Sequence, residues 1–315
     1  MIMSKEVTIP ATYNLSGTLT IPEQNQAASP AILIIPGSGE IDRDGNTAGE
    51  PPINLYKEMA EWLAEQGYLS LRYDKRGLFK SEGEFIRTGF YDLIEDATAC
   101  IQYLKGLPEA DSEQIFMLGH SEGAIITPAI QRQQPVNGLI LLSGLAESTI
   151  DLTNRQNDEL FENIKQSKTI RGLLYRLFKL DALEKRMLNM QRNKLLFAKE
   201  DVVSVNGKAI NVKYLREVWH YNVCDLLPEI TCPVLTVTGE NDKHVPPEHA
   251  QVIAEMVSGD GEWKIIAGVN HSLRQFEEQL SNEQETDYLE KQAQLPIAKD
   301  VLQTLNNWLD KQTRS

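Results

Sequence analysis

The chain has 315 residues, of which 41% are hydrophobic and 24% are charged, a composition typical of a globular protein. Its formal net charge of −14 argues against nucleic acid and anionic lipid as partners. It has no apolar run of membrane-spanning length, no basic-then-apolar leader, and three cysteines without C-x-x-C spacing. We therefore expect free thiols in a reducing compartment and predict a cytoplasmic location. The oligomeric state, monomer or homodimer, stays open.

Short apolar runs alternate with helical patterns through the first half of the chain. The run 31–35 is apolar throughout, which is typical of a strand buried on both faces. Strands alternating with helices predict an α/β fold with a mainly parallel sheet and helices on both faces. The strands are predicted at 7–10, 17–22, 31–35, 69–73, 114–118 and 139–142, and the helices at 54–66, 92–104 and 124–134.

The alternation stops near Leu145 and resumes near Asp225. Between Glu147 and Cys224 there are 14 Lys/Arg and 10 Asp/Glu residues, whereas the remainder has 17 and 35. A basic block within an acidic chain indicates a separate unit. We predict a core of 1–145 and 225–315 with a helical cap, or lid, inserted at 146–224.

Within the predicted cap, one helix carries an apolar face from Ile170 to Phe178 and another opens near Asp181. Asn206-Gly207 indicates a turn, and a short helix includes Leu215 and Trp219. Beyond the cap, strands are predicted at 233–238 and 263–266, helices at 247–256 and 296–309, and an acidic loop at 281–290.

The pentapeptide Gly119-His120-Ser121-Glu122-Gly123 reads G-x-S-x-G between a predicted strand and a predicted helix. This context is typical of a sharp turn that holds a nucleophilic serine clear of the backbone. Gly119 and Gly123 are small because a Cβ would clash in so tight a turn. The helix N-terminus then points its N–H groups at any oxyanion that forms beside Ser121.

A serine nucleophile needs a base within hydrogen-bond reach and a carboxylate that orients the base. Asp242 and His271 each follow a predicted strand, at the sheet edge where ligand sites gather in parallel sheets. We therefore predict Ser121 as nucleophile, Asp242 as acid and His271 as base. Glu240 and Asp225 are weaker candidates for the acid because of their positions relative to the strand.

An acyl-transfer site also needs two backbone donors for the oxyanion. We expect one at Glu122 and the other at Ser38, in the turn after strand 31–35, where Gly37 and Gly39 let the backbone approach the substrate. The segment 42–46 begins like a calcium loop but lacks the glycine and glutamate that such a loop requires. We predict a bracing turn there, and neither a metal nor a cofactor.

With these residues in place, the chain resembles the α/β-hydrolases, and more closely the EstD-like bacterial carboxylesterases, near the serine aminopeptidase and dienelactone hydrolase-like branches. The resemblance rests on the motifs at 36–39, 42–46, 73–77, 119–123, 239–246 and 270–271. It implies an eight-stranded sheet, a helical cap over the site, and hydrolysis of short-chain esters without a cofactor. It also implies the same roles for Ser121, Asp242, His271, Ser38 and Glu122.

The chain departs from the family after Arg76-Gly77, where Phe79 replaces a glycine, so we expect a loop of different shape.

The favoured hypothesis is a serine hydrolase acting on small carboxylic esters with short to medium acyl chains through an acyl-enzyme. If the basic face of the cap, at 168–179, binds coenzyme A, the chain is an acyl-CoA thioesterase. A serine aminopeptidase would need a cap carboxylate such as Glu217 or Glu200, and a non-catalytic receptor would have no use for the whole triad.

Overall fold

The computed structural model describes residues 2–23, 28–167, 169, 175, 180–276 and 290–313. The strands are β1 (Met3–Ile9), β2 (Leu15–Ile21), β3 (Ser29–Ile35), β4 (Leu69–Tyr73), β5 (Ala110–His120), β6 (Gly138–Leu142), β7 (Val202–Val205), β8 (Lys208–Asn211), β9 (Val234–Gly239) and β10 (Gly261–Ile266). The helices are α1 (Leu55–Glu65), α2 (Phe90–Lys105), α3 (Glu122–Gln133), α4 (Thr149–Gln166), α5 (Leu180–Leu196), α6 (Val212–Trp219), α7 (His249–Met256) and α8 (Lys299–Thr313).

The chain divides into two compact units. The sheet unit comprises Met1–Phe85, Asp92–Ala146 and Val223–Ser315, and the helical unit comprises Ile86–Tyr91 and Glu147–Asn222. The helical unit thus contains a short piece, Ile86–Tyr91, that the sequence analysis placed in the core. Among the described residues, no helix is both long and apolar enough to cross a membrane.

Eight strands form one sheet in the order β1-β2-β4-β3-β5-β6-β9-β10. β2 runs antiparallel to both β1 and β4, and every other neighbouring pair is parallel. The predicted α/β fold with a mainly parallel eight-stranded sheet is therefore confirmed. Since β3, β5, β9 and β10 are parallel, their carboxyl ends share one edge, and the segments that follow them meet there.

The central strands of the sheet unit could be predicted from the sequence because they lie in its core. β3 and β6 are buried along nearly their whole length, because helices cover both faces of the sheet. Trp308 of α8 packs edge-on against Phe116, with ring centroids 6.1 Å apart. A Cβ at Gly138 would lie 2.8 Å from Trp308, so the strand needs glycine there.

In the helical unit, the piece 86–91 is fixed by its own contacts. Phe90 is fully buried and packs against Tyr214 and Tyr221. The Tyr91 amide donates to Glu217 at 3.0 Å. These contacts explain why the piece belongs to this unit.

The predicted turn at Asn206-Gly207 joins β7 to β8, with φ of 52° and 79°. The sequence did not indicate the two strands of this hairpin. The predicted basic, apolar-faced helix at 168–179 lies outside the described residues except for Thr169 and Tyr175, and so do residues 281–289 of the predicted acidic loop.

Candidate active site

Ser121 sits in a strained turn between β5 and α3. Its φ and ψ are 55° and −117°, a conformation that residues with a Cβ rarely adopt. A Cβ on Gly119 would lie 2.5 Å from the Gly123 carbonyl oxygen, and one on Gly123 would collide with the Ile35 carbonyl. The backbone of β3, β5 and α3 is therefore too close here for any side chain larger than that of glycine, as the motif predicts.

Asp242 and His271, predicted from two separate strand ends, lie in direct contact. Oδ2 of Asp242 is 2.8 Å from Nδ1 of His271. Oδ1 accepts the backbone N–H groups of His244 and Val245 at 2.8 and 2.9 Å. Because a carboxylate only accepts, Nδ1 of His271 carries a proton, and in the neutral ring Nε2 then has the lone pair. This is the tautomer that a general base for a serine requires.

The environment of Asp242 keeps it ionised. Its side chain is fully buried, and burial alone would raise the pKa. The hydrogen bond from His271 and those from the Val245 and His244 amides outweigh burial and lower the pKa of Asp242 to about 2. The carboxylate therefore stays charged at neutral pH and can stabilise a protonated His271.

The third contact of the predicted triad is not closed. Within the described part of the chain, the Ser121 hydroxyl makes no hydrogen bond to His271. Catalytic hydrogen bonds are often loose in ligand-free enzymes and shorten with substrate. The assignment of Ser121 as nucleophile thus stays a prediction, which the strained turn supports.

His271 lies between two other imidazoles. Its ring centroid is 5.0 Å from that of His120 and 4.6 Å from that of His244. Nε2 of His120 donates to the His271 backbone carbonyl at 3.0 Å. Burial, reinforced by the charge of His271, lowers the pKa of His120 to about 3, so His120 is neutral.

The turn after β3 lies against the nucleophile. A Cβ on Gly37 would be 3.4 Å from Cβ of Ser121. The Gly37 amide donates to the Tyr56 hydroxyl at 2.8 Å, so it is engaged inside the protein. The Ser38 amide makes no such bond among the described residues, which fits its predicted role as an oxyanion donor.

A buried ion pair lies beneath the same turn. Nζ of Lys75 is 3.2 Å from Oε2 of Glu122, and the two side chains are 4% and 7% exposed. Nζ also donates to the carbonyl oxygens of Gly37 and Gly39, at 2.5 and 3.3 Å. Lys75 therefore links two segments: the turn that contains Ser38, and Glu122, the residue directly after Ser121.

The segment 42–46 forms the compact turn that the sequence predicts. Oδ1 of Asp42 accepts the amides of Asp44 and Asn46, and Nη2 of Arg43 pairs with Asp74 at 2.6 Å. These bonds fasten the turn to the end of β4. Within the described ranges, no cluster of histidine, cysteine and acidic side chains could hold a metal ion.

Three side chains at this site were not predicted from the sequence as functional groups: Tyr56, Lys75 and His120. Tyr56 had no signal beyond its place in an amphipathic helix. Lys75 had one, since a lysine two residues after a buried strand needs a partner if it is buried itself. For His120 the only signal was its place beside Ser121 in the G-x-S-x-G motif.

Comparison with known proteins supports an enzyme site. A family model described as serine aminopeptidase, S33, matches residues 52–279. Esterase EstD of Thermotoga maritima is 25% identical over 310 residues, which are 98% of this chain and 67% of the relative.

Two solved structures share the fold over nearly their whole length. Est1E from Butyrivibrio proteoclasticus with bound ferulic acid has a TM-score of 0.57 at 21% identity, covering 90% of this chain and 96% of that one. The alpha/beta hydrolase GrgF from Penicillium sp. sh18 has a TM-score of 0.61 at 19% identity, covering 99% and 100%. Together with EstD, they confirm the resemblance that the motifs predicted.

Proposed function

Because this chain belongs to the serine aminopeptidase S33 family and has the α/β-hydrolase fold, we propose that it is a serine esterase. Its substrates are carboxylic esters with short to medium acyl chains, and Ser121 carries the acyl group. The observation that carries the proposal is the 2.8 Å contact between His271 and a fully buried Asp242, at the sheet edge that also holds the strained Ser121 turn. The likeness to an esterase supports the choice of ester.

The first half of the reaction transfers the acyl group to the protein. His271 Nε2 takes the proton of Ser121 while Oγ attacks the ester carbonyl carbon. The carbonyl oxygen becomes an anion, which the amides of Ser38 and Glu122 stabilise. The bond to the alcohol oxygen then breaks, His271 returns the proton to that oxygen, and alcohol leaves.

The second half releases the acid. Water gives a proton to His271 and its oxygen attacks the acyl carbon. The second oxyanion collapses, the bond to Ser121 breaks, and His271 returns the proton to Oγ. Throughout, Asp242 stays ionised and stabilises the imidazolium. Each oxyanion-hole donor typically contributes about 2.7–4 kcal/mol to lowering the barrier.

The family's description supports a second candidate function, which is the hydrolysis of peptides from the amino terminus. That activity needs a carboxylate for the substrate ammonium. Glu217, one of the two predicted for this role, accepts the Tyr91 amide within the helical unit. Glu200 is exposed, and its described hydrogen bond is made by its backbone carbonyl, which accepts from Arg216. The thioesterase alternative rests mainly on basic residues outside the described ranges.

The test is hydrolysis of p-nitrophenyl esters from acetyl to palmitoyl by the wild type and two variants. We expect Ser121→Ala to lower kcat at least about 10⁴-fold. Ser143→Ala is the matched control, because Ser143 also has a positive φ at a strand end and its buried hydroxyl has no partner among the described residues. It should match the wild type.

Three outcomes separate the candidates. Turnover that is greatest for short chains and absent in Ser121→Ala supports the esterase. Turnover that survives in Ser121→Ala contradicts the choice of nucleophile. Cleavage of amino-acid p-nitroanilides, with esters left intact, replaces the esterase by an aminopeptidase.

A further inference from the structure

Two buried side chains connect the turn after β3 to the base. The Gly37 amide lies 2.8 Å from the Tyr56 hydroxyl. That hydroxyl lies 2.9 Å from Nδ1 of His120, and Nε2 of His120 lies 3.0 Å from the backbone carbonyl of His271. Tyr56 and His120 are 3% and 5% exposed. We call the path Gly37–Tyr56–His120–His271 the buried bridge.

The proton positions along the bridge follow from its end. A carbonyl oxygen only accepts, so Nε2 of His120 carries a proton. A neutral imidazole then has an acceptor at Nδ1, and the Tyr56 hydroxyl must donate to it. The Tyr56 oxygen in turn accepts the Gly37 amide. Every donor and acceptor in the bridge has one assignment, so the bridge has one geometry.

Burial keeps both side chains in the protonation states that this geometry needs. It raises the pKa of Tyr56 well above the ordinary value, which keeps the hydroxyl protonated. It lowers the pKa of His120 to about 3, which keeps the ring neutral. A protonated His120 would lose its acceptor for Tyr56 and would place a second positive charge beside His271.

The two ends of the bridge belong to the two parts of the site that must keep a fixed separation during catalysis. Gly37 is next to Ser38, the expected oxyanion donor, and His271 is the expected base. The bridge also passes through the residue directly before Ser121. Resting on the function proposed above, we propose that Tyr56 and His120 are positioning residues, which hold the oxyanion turn and the base in register about the nucleophile.

Misplacement of catalytic groups by about 1 Å can cost on the order of 100-fold in rate. We expect Tyr56→Phe to lower kcat roughly 10- to 100-fold, because it leaves Gly37 N–H and His120 Nδ1 without partners. KM should change less than about threefold, since neither side chain is expected to touch the ester. A purely structural role would instead lower the fraction of folded protein and leave kcat per active site unchanged.

His120 offers two variants that cut the bridge at different points. His120→Asn can keep an acceptor near Nδ1 for Tyr56 but loses the donor to His271. His120→Gln can keep that donor but loses the acceptor. If the bridge acts as one path, both lower kcat, and active-site titration still finds full occupancy of Ser121. Affinity for a trifluoromethyl ketone, which forms the tetrahedral adduct, should fall by about the same factor as kcat/KM.

Tyr68→Phe is the matched control, because Tyr68 is equally buried and its hydroxyl contacts Thr313 of α8. It should leave kcat at the wild-type value. The proposal is overturned if Tyr56→Phe keeps kcat within twofold, if either folded His120 variant does so, or if Tyr68→Phe loses as much as Tyr56→Phe. A variant that fails to fold is replaced by the other two.

Ser121→Ala separates this proposal from the one beneath it. If Ser121→Ala still turns over ester, the proposed function is wrong. If Ser121→Ala is inactive while the bridge variants equal the wild type, only the bridge is wrong.

Discussion

Lys75→Met removes one partner of a buried ion pair and keeps most of the apolar stem. Glu122 would then remain 7% exposed with a charge that Lys75 no longer offsets, and Gly37 and Gly39 would lose a donor to their carbonyls. Removing one member of a buried pair typically costs about 3–5 kcal/mol. Since the pair is shielded from solvent, we expect this loss in urea unfolding at pH 7, with little change in 0.5 M salt.

The double variant Lys75→Met/Glu122→Gln tests whether the loss comes from the Glu122 charge that Lys75 offsets in the wild type. Once both charges are gone, the loss in the free energy of unfolding should be smaller than for Lys75→Met alone. The coupling free energy between the two substitutions should be about 2 kcal/mol. Additivity within about 0.5 kcal/mol would refute the reasoning.

Lys311→Met is the surface control for this cycle. Lys311 pairs with Glu262 at 3.0 Å, but its side chain is 61% exposed. An exposed pair contributes about 0–1 kcal/mol, so the same substitution should cost little there. An equal cost at both positions would show that burial is not the cause.

Three further predictions concern the acid, the bridge and the strained turn. Asp242→Asn should lower kcat about 10⁴-fold, because His271 loses the acceptor that fixes its tautomer, and steady-state kinetics measures this. His120 has a pKa of about 3 when folded and about 6.5 when unfolded, so the unfolded state binds more protons between these values and stability falls as the pH drops. Urea unfolding at pH 7 and pH 4.5 should show a loss on the order of 2–3 kcal/mol from this residue, which His120→Gln lacks; an equal acid loss in both proteins would contradict it. Ser121→Gly should be more stable than Ser121→Ala by about 1 kcal/mol, because glycine accepts a φ of 55° without strain, and a lower melting temperature for the glycine variant would count against strain at this position.

The fold was readable because the central strands are continuous apolar runs. β4 matches its predicted bounds, and β3 begins two residues earlier than expected. β5 extends back to Ala110 through the polar residues 111–113, which carry no apolar signal. In the helical unit, α4 buries only Phe161 and α5 buries no described side chain, so apolar periodicity there is weak. The bounds of α4 were not predicted, whereas α5 begins at Leu180, beside the predicted opening near Asp181.

For the candidate site, sequence was informative only where a motif or a strand end fixes a position. The acid and base were predicted from strand ends, and they lie 2.8 Å apart. Two contacts at the site join residues that are far apart in the sequence. Tyr56 and His120 are 64 positions apart, Lys75 and Glu122 are 47 apart, and no local pattern predicts such pairs. We expected Phe79 to give its loop a different shape, because it stands where the family has a glycine. Its φ is 48°, which is the left-handed conformation that favours glycine.

β6 and β9 are neighbours in the sheet, with Leu139 opposite Val234 and Leu142 opposite Val237. About 90 residues separate these two strands along the chain, and they include most of the helical unit. Loop-closure entropy grows only with the logarithm of length, so a linker of about ten residues would ease closure by only about 2 kcal/mol. The length of the segment between β6 and β9 therefore has little effect on the free energy of their pairing. This stretch of the chain can lengthen or shorten without separating β9, which leads to Asp242, from the rest of the sheet.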